Sequence, residues 1–599
     1  MSNLDFFIDT GKRDLPVYLT DARRDFLLSE GEDVVLDIKK FDGSFRRITL
    51  RLPAAEIRNT EQREFVRDYF FAEVYNILSS LGGSEITVYA PSADGSLTSI
   101  FEELAAAFGI GRSRKERAGY GRSVNVIERM LDSQNAAAPF TVNFMRGRAP
   151  KSPEKPKRGE AFAERFAKAF AGIEKKLLCG VDIGGTDIKL AVSVNGKLCF
   201  LKEYDWFPTL FTRVDRLIEP VRLLVRLLRA RVSCEFTRVD AAVVQALDEA
   251  VDKHLSDFDM ERAVARAEKA LGAGIRGFDA IGLCFPDVVI KDKIVGGEVH
   301  KTRGIRENPD IDYEAEFKRL MNLNEILSEF CVPGGKAGIT NDGPMAAFTA
   351  AMEMLAEGRG KELKNGRFAH TMGTDLGTGW IDETGKIPEI PLEAYNFIID
   401  LGSRKAREYH PDDLRSINNF NTRLPGTVQK FMGQNGVFRL AIKTSQAGDG
   451  KLYGELLEKG FIREENGGVF VVLKPKDMRK PLLEHLTGLC KAGDPLMREV
   501  FLEIGRAAGI TFCETEHILA PRTKERVLYG RLVKAPRCFE LIKSGAAEID
   551  KSFIISAADE QNAFTPLMLQ LKAHPVYTVA QFAQSVGALY YGNYSTGVE

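Results

Sequence analysis

The sequence predicts an α/β protein built of three or four compact units. Three observations predict it. The chain has 599 residues, far beyond one ordinary domain. Residues 177–204, LLCGVDIGGTDIKLAVSVNGKLCFLKEY, read as three consecutive strands around a glycine pair. Two glycine–threonine turns, Gly185-Thr186 and Gly377-Thr378-Gly379, stand in chain order, with a strand ending in Asn341-Asp342 between them.

Composition removes several function classes. Formal charge is −1 with 28% charged residues, so no global electrostatic attraction to nucleic acid or to an anionic membrane is expected. No window holds the ~18 unbroken apolar residues of a membrane span, and the first residues lack a basic-then-apolar leader pattern. The eight cysteines are scattered with no CxxC pair, which predicts reduced, mostly buried thiols in a cytoplasmic protein rather than a zinc knuckle or a disulfide framework.

Residues 1–135 predict an N-terminal α/β domain. VVLDIKKF and SFRRITLRL flank Asp42-Gly43, a hairpin turn pair. A helix from about Thr60 to Leu81, the strand EITVYA and a helix from about Leu97 to Phe108 follow. No motif in this unit carries chemistry, and the basic stretch 112–115 reads as a solvated face. Residues 135–158 hold prolines and a run of Lys and Arg, the composition of a linker. Helical spacing returns over 159–175, where Phe162, Phe166 and Phe170 form a stripe suited to packing on a neighbouring unit. Residues 136–175 are therefore a linker and connecting helix.

The segment 177–204 carries the strongest chemical signal. Its first strand reaches Asp182, Gly184-Gly185 makes a tight turn, and Asn195-Gly196 closes a second hairpin. Adjacent glycines let backbone amides approach an anion. Thr186 adds a hydroxyl and Lys189 a charge, and Asp182 is placed to hold a hydrated Mg²⁺. A strand, not a helix, follows the glycines, so this is neither a Walker loop nor a dinucleotide fingerprint. An ordinary glycine-rich hairpin is the plain alternative.

D-I-G-G-T-x-I-K resembles the first phosphate motif of the ROK family of repressors and sugar kinases, within the actin and hexokinase superfold. The resemblance covers about 420 residues and implies two lobes of similar topology, at 176–345 and 346–599, with the last helix returning to the first lobe. It also implies ATP with Mg²⁺ across the cleft floor and a sugar deeper inside. In the family's order, Gly282 and Pro286 of FDAIGLCFPDVVIKDKIVGGE match the sugar loop, with Asp287 where the family usually has Gly. Asp there also suits a cap of the following turn. Asn341-Asp342 match the catalytic segment, which makes Asp342 the general base and both residues sugar contacts. A helix is expected to begin near Pro344, with Gly343 the nearer cap. Gly377-Thr378-Gly379 match the second phosphate turn, Glu393 and Asn396 stand where a sugar-binding Glu and His would be, and Gly530 is what remains of the adenosine turn. Residues 397–425 contain no cysteine, so the family's structural zinc is not expected.

Three functions follow from the resemblance. The first is ATP-dependent phosphorylation of a sugar hydroxyl, of hexokinase or glucokinase type, in a homodimer as the family implies. The second is a sugar sensor of the repressor branch; the strand-rich start of the chain does not resemble its DNA-binding helices. The third is a scaffold that kept the fold, which would have no use for Asp182 and Asp342. Fold alone does not separate them.

Overall fold

The computed structural model describes residues 3–90, 95–136, 138–151 and 166–596. The N-terminal sheet contains β1 (Glu32–Lys39), β2 (Phe45–Leu52), β3 (Glu85–Ala90) and β4 (Thr141–Arg146) in the order β2-β1-β3-β4. The β1–β2 hairpin turns at Asp42-Gly43, as its sequence predicts, with Asp42 Oδ1 accepting from Ser44 N at 2.9 Å. Strand β4 pairs parallel to β3 and so belongs to this domain, not to the linker expected from residue 136. Cross-strand pairing outweighs the loop-like composition around it. The helix Thr60–Leu81 is capped by the Asn59 side chain and closed by Gly82 at φ 60°. It is buried on nearly every side, because the sheet covers one face and the C-terminal lobe another. Helices Asn3–Lys12, Leu19–Leu28, Gly95–Ala107 and Gly121–Ser133 complete the unit.

The domain is welded to the C-terminal lobe. A single apolar core runs from Leu4 and Phe26 through Tyr69 to Phe438 and Phe512. Arg23 links the fully buried carboxylates of Glu73 and Glu514, at 2.8 Å each.

The first lobe sheet holds β5 (Leu177–Ile183), β6 (Asp187–Val194), β7 (Lys197–Asp205), β8 (Phe278–Phe285) and β11 (Cys331–Asn341); a short hairpin of β9 (Val289–Ile290) and β10 (Lys293–Ile294) intervenes. Their order is β11-β8-β5-β6-β7, antiparallel across β5–β6–β7 and parallel across β5–β8–β11. The second lobe sheet holds β12 (Arg367–Met372), β13 (Leu376–Ile381), β16 (Glu525–Tyr529) and β17 (Ile554–Ala557), with the small hairpin β14 (Ile462–Glu465) and β15 (Gly468–Val471) set apart. Its order is β13-β12-β16-β17. This is the first pattern with one outer antiparallel strand fewer. Two lobes of one repeated topology are the actin-like architecture expected of the chain, with an N-terminal α/β domain added.

Two helices join the lobes. Asp342–Ala356 follows β11 and packs on the second sheet. Val579–Thr596 returns to cover the first sheet. Gly180 and Gly282 are register neighbours on β5 and β8, and a Cβ on either would collide with the helix carbonyls of Ser585 or Ala588. Glycine is therefore what lets the helix backbone lie on the sheet. Phe166 of the aromatic stripe stacks on Tyr594 of that helix and Phe170 packs at a tilt against Tyr590, while residues 152–165, including Phe162, lie outside the described residues. All eight cysteines are free, and no described helix is long and apolar enough to cross a membrane.

Candidate active site

The ends of β5, β11, β12 and β13 converge on one cleft of about 450 Å³ between the lobes. The first glycine turn joins β5 to β6. Gly184 N donates to Asp187 O at 2.8 Å, and Trp206 at the end of β7 stitches the turn down through Nε1 to Gly184 O at 3.0 Å and N to Thr186 O at 3.1 Å. The turn is thereby rigid with its amides at the cleft. Asp182 lies beneath it, accepting from Cys284 Sγ at 3.0 Å. Burial pushes its carboxyl up to about 6 against the pull of Lys189.

Lys189 differs from its expected role. Its ammonium pairs with the Asp187 carboxylate, which also takes Arg531 from the opposite lobe. Burial disfavours the Asp187 anion, but Lys189 and Arg531 outweigh it and hold its pKa below the usual carboxylate range. The charge read as available to a phosphate is thus partly engaged inside the protein.

The second turn also corrects the sequence. Strand β13 begins before Gly377, so Gly377-Thr378-Gly379 lie within the strand, and the turn itself is Gly373-Thr374-Asp375. The glycines of the strand serve proximity instead. A Cβ on Gly377 would stand 2.8 Å from Asp342 Oδ1, and one on Gly379 would collide with Gly343 O. Gly379 does not line the cleft; Gly377 and Thr378 do. The two turns face each other across the cleft: a Cβ on Gly185 would lie 3.1 Å from Thr374 Oγ1.

Asp342 sits where β11 becomes a helix. The cap is Asn341, not Gly343: Asn341 Oδ1 accepts from Gly343 N at 2.8 Å, and Asn341 Nδ2 donates to Asp287 O at 2.5 Å. Both ends of the Asn341 side chain make bonds inside the protein that fix its neighbour, and Asn341 also lines the cleft. Asp342 Oδ1 shares the Gly343 N–H at 2.8 Å, and Oδ2 has no protein partner among the described residues. Burial raises the Asp342 pKa, Lys301 opposes the rise, and Asp375 adds to it.

Pro286 and Glu393 line the same cleft. Asp287 does what its loop position suggests: Oδ1 accepts from Val288 N at 2.8 Å and Oδ2 from Gly297 N at 2.7 Å. Burial raises the Glu393 pKa well above the ordinary carboxylate range, with Asp287 adding to the rise. Asn396 is not in the cleft; its Oδ1 accepts from Asn419 Nδ2 at 3.2 Å, a loop contact that outcompetes the expected sugar role. Gly530 borders the cleft with Arg531, Lys534, Lys480 and Lys491, which form a cationic rim on that side.

Two residues of the site carry no sequence signal that singled them out. Lys301 lines the cleft with its Cε 3.3 Å from a Cβ built on Gly185, and no ion pair within 4.0 Å engages it among the described residues. Asp375, in the second turn, is raised by burial, with Lys301 opposing.

No protein-family model and no curated protein sequence matches the chain. Several solved structures do. The chain resembles ROK-family sugar kinases. A ROK family glucokinase from Streptomyces griseus, in complex with glucose and AMPPNP, shares 15% identity over 69% of this chain and 99% of that one, at a TM-score of 0.39. A ROK hexokinase from Thermus thermophilus shares 17% over 70% and 100%, at 0.35. A glucokinase from Balamuthia mandrillaris, in complex with glucose, shares 12% over 73% and 100%, at 0.39. The fold assignment rests on the strand orders above.

Proposed function

We propose that this protein transfers the γ-phosphate of ATP to a sugar hydroxyl. The observation that supports it most is the convergence of Asp342, with one unpartnered carboxylate oxygen, and two facing glycine turns on a single cleft. The residues present fit a nucleotide with Mg²⁺. The Gly184-Gly185 turn brings backbone amides to the cleft without side-chain interference, the second turn adds Gly373 and the Thr374 hydroxyl, and Asp182 is a carboxylate of the kind that would hold hydrated Mg²⁺ brought in with phosphates. No cluster of three or more His, Cys, Asp or Glu that would hold a metal by itself occurs among the described residues.

Mg²⁺, when bound with the nucleotide, neutralises charge on the transferring phosphoryl group. Asp342 Oδ2 takes the proton of the attacking hydroxyl as the new O–P bond forms and the bond to ADP breaks. A raised pKa makes Asp342 a stronger base than an ordinary aspartate. Glu393 and Tyr395 hold neighbouring hydroxyls. Lys301 supplies positive charge between the turns, where negative charge gathers.

A second reading, a regulator that binds sugar without turnover, is favoured by the Arg531–Asp187 pair, which spans the lobes at the nucleotide end. The deciding experiment is ADP release from ATP and Mg²⁺ against hexoses, amino sugars and polyols, with Asp342→Asn alongside. Sugar-stimulated release that disappears in the variant is expected. Sugar binding without release would overturn the kinase in favour of the regulator.

A further inference from the structure

The N-terminal domain has no counterpart in the two-lobed architecture, yet it reaches the cleft from behind. The last four carbonyls of any helix lack partners inside it. In Thr60–Leu81, Gly82 N satisfies Leu78 O at 3.0 Å. The next two carbonyls are taken by the cleft wall: Glu393 N donates to Ser79 O at 2.8 Å and Leu392 N to Ser80 O at 3.0 Å. Leu392 has φ 49°, a left-handed conformation that non-glycine residues rarely keep unless their surroundings impose it. One turn earlier on the helix, fully buried Asn76 pairs with both backbone groups of Ile398. Its Oδ1 accepts from Ile398 N at 2.8 Å and its Nδ2 donates to Ile398 O at 3.0 Å. The segment from Leu392 to Ile398 is therefore pinned at both ends to one helix, with Glu393 facing the cleft.

The same domain grips the opposite lobe. Helix Gly121–Ser133 sends Asn125 Nδ2 to Glu298 Oε1 at 3.1 Å, Arg122 to Glu298 at 3.0 Å, and Arg129 to Glu298, Glu314 and Gly296 O. That stretch, 296–298, lies against Asp287 of the loop that carries Pro286.

We propose that the N-terminal domain positions Glu393, through Asn76 and the terminal carbonyls of helix Thr60–Leu81, and so forms the rear support of the acceptor end of the cleft. Only the term acceptor rests on the sugar-kinase reading. Glu393 alone touches the ligand in this scheme; Asn76 and the helix end act through it. The mechanical logic is that of a shell holding a binding group in productive geometry.

The test uses the full chain in four forms: wild type, Asn76→Ala, Gly82→Ala and Arg63→Ala. A Cβ on Gly82 would stand 2.7 Å from Phe41 Cε2 and 3.0 Å from Pro391 Cδ, pushing on the residue before Leu392. Arg63 lies on the same helix but bonds Ser99 at 2.8 Å, inside the N-terminal domain, and is the control for general loosening. Amide hydrogen exchange at Leu392 and Glu393 is expected to rise about tenfold or more in the first two variants and to stay at the wild-type rate in Arg63→Ala. With the best sugar of the hexose, amino-sugar and polyol panel, its KM should rise about tenfold in those two variants while the KM for ATP stays within about twofold. Wild-type exchange at both amides in Asn76→Ala and Gly82→Ala overturns the proposal. So does an equal rise of both KM values in all three variants. If the wild type turns over no sugar, the kinase reading falls and the exchange rates decide the proposal alone.

Discussion

The two ends of the cleft are held by different physics. At the proposed acceptor end, the buried Asn341, Asp287 and Glu298 are held by internal bonds around residues 287–298, and the buried Asn76 is bonded separately to Ile398. At the nucleotide end, the lobes meet through Arg531–Asp187, with Arg531 32% exposed, and through Lys480–Asp205 at 3.7 Å, both partners more than 40% exposed. Buried networks are costly to break from one side, whereas exposed pairs contribute little and are screened by salt. The contrast teaches that the proposed acceptor end is braced by buried bonds, whereas the proposed nucleotide end is latched by ion pairs with at least one partly exposed partner.

The largest expected effect tests the floor shared by both ends. Asp342→Asn should lower kcat by about 10³-fold, the usual range for loss of a general base. In the wild type the acid limb of kcat/KM should lie above the ordinary aspartate range of about 4. The sign follows from the direction of the shift. A raised pKa leaves Asp342 protonated at pH values where an exposed aspartate is already ionised, so base function is lost earlier as pH falls. A pH–rate profile checks it.

Lys301→Met comes next. A fall in kcat of about 10²-fold is expected if its charge faces the transferring group. Lys301 is also the strongest group opposing the upward push of burial on Asp342. Its removal should move the acid limb to higher pH, and Asp375→Asn should move it to lower pH.

How much of this was legible in the sequence differs between the same two ends. The Asn195-Gly196 and Asp42-Gly43 hairpins, the strand ending at Asn341 and the turn at Gly184-Gly185 are local events with local signatures, and each folds as its residues suggest. The second turn misleads because G-T-D-L-G-T-G contains two Gly-Thr pairs. Spacing alone does not say which pair bends and which two glycines stay extended to admit Asp342 and Gly343. Lys301 lies between motifs, in a segment whose importance comes from being folded under Gly185. The proposed rear support of Glu393 is carried partly by the backbone carbonyls of Ser79 and Ser80, which no residue type announces, and partly by Asn76, whose backbone partners lie 322 residues away in the chain.

The latch gives the smaller effects. Arg531→Met should change the KM for ATP several-fold, by about 1 kcal/mol at most, with the sugar KM unchanged; the sign separates a pair that competes with the nucleotide from one that helps to hold it. Lys480→Met should change either KM by less than about twofold, and added salt should erase even that. A large response at Lys480 would mean that the nucleotide end is as firmly braced as the other.

The weld between the N-terminal domain and the C-terminal lobe also sets a timetable for synthesis. Val17 N donates to Asp400 Oδ1, a partner 383 residues later in the chain. At ordinary rates of about 5–20 residues per second, that partner emerges roughly 20–80 s after Val17. The groove at Gly180 and Gly282 also waits, for a helix that begins at Val579. Through that interval the apolar faces around Leu4, Phe7 and Tyr69 stand without their final cover, so the growing chain exposes an aggregation-prone surface until the C-terminal lobe has been made.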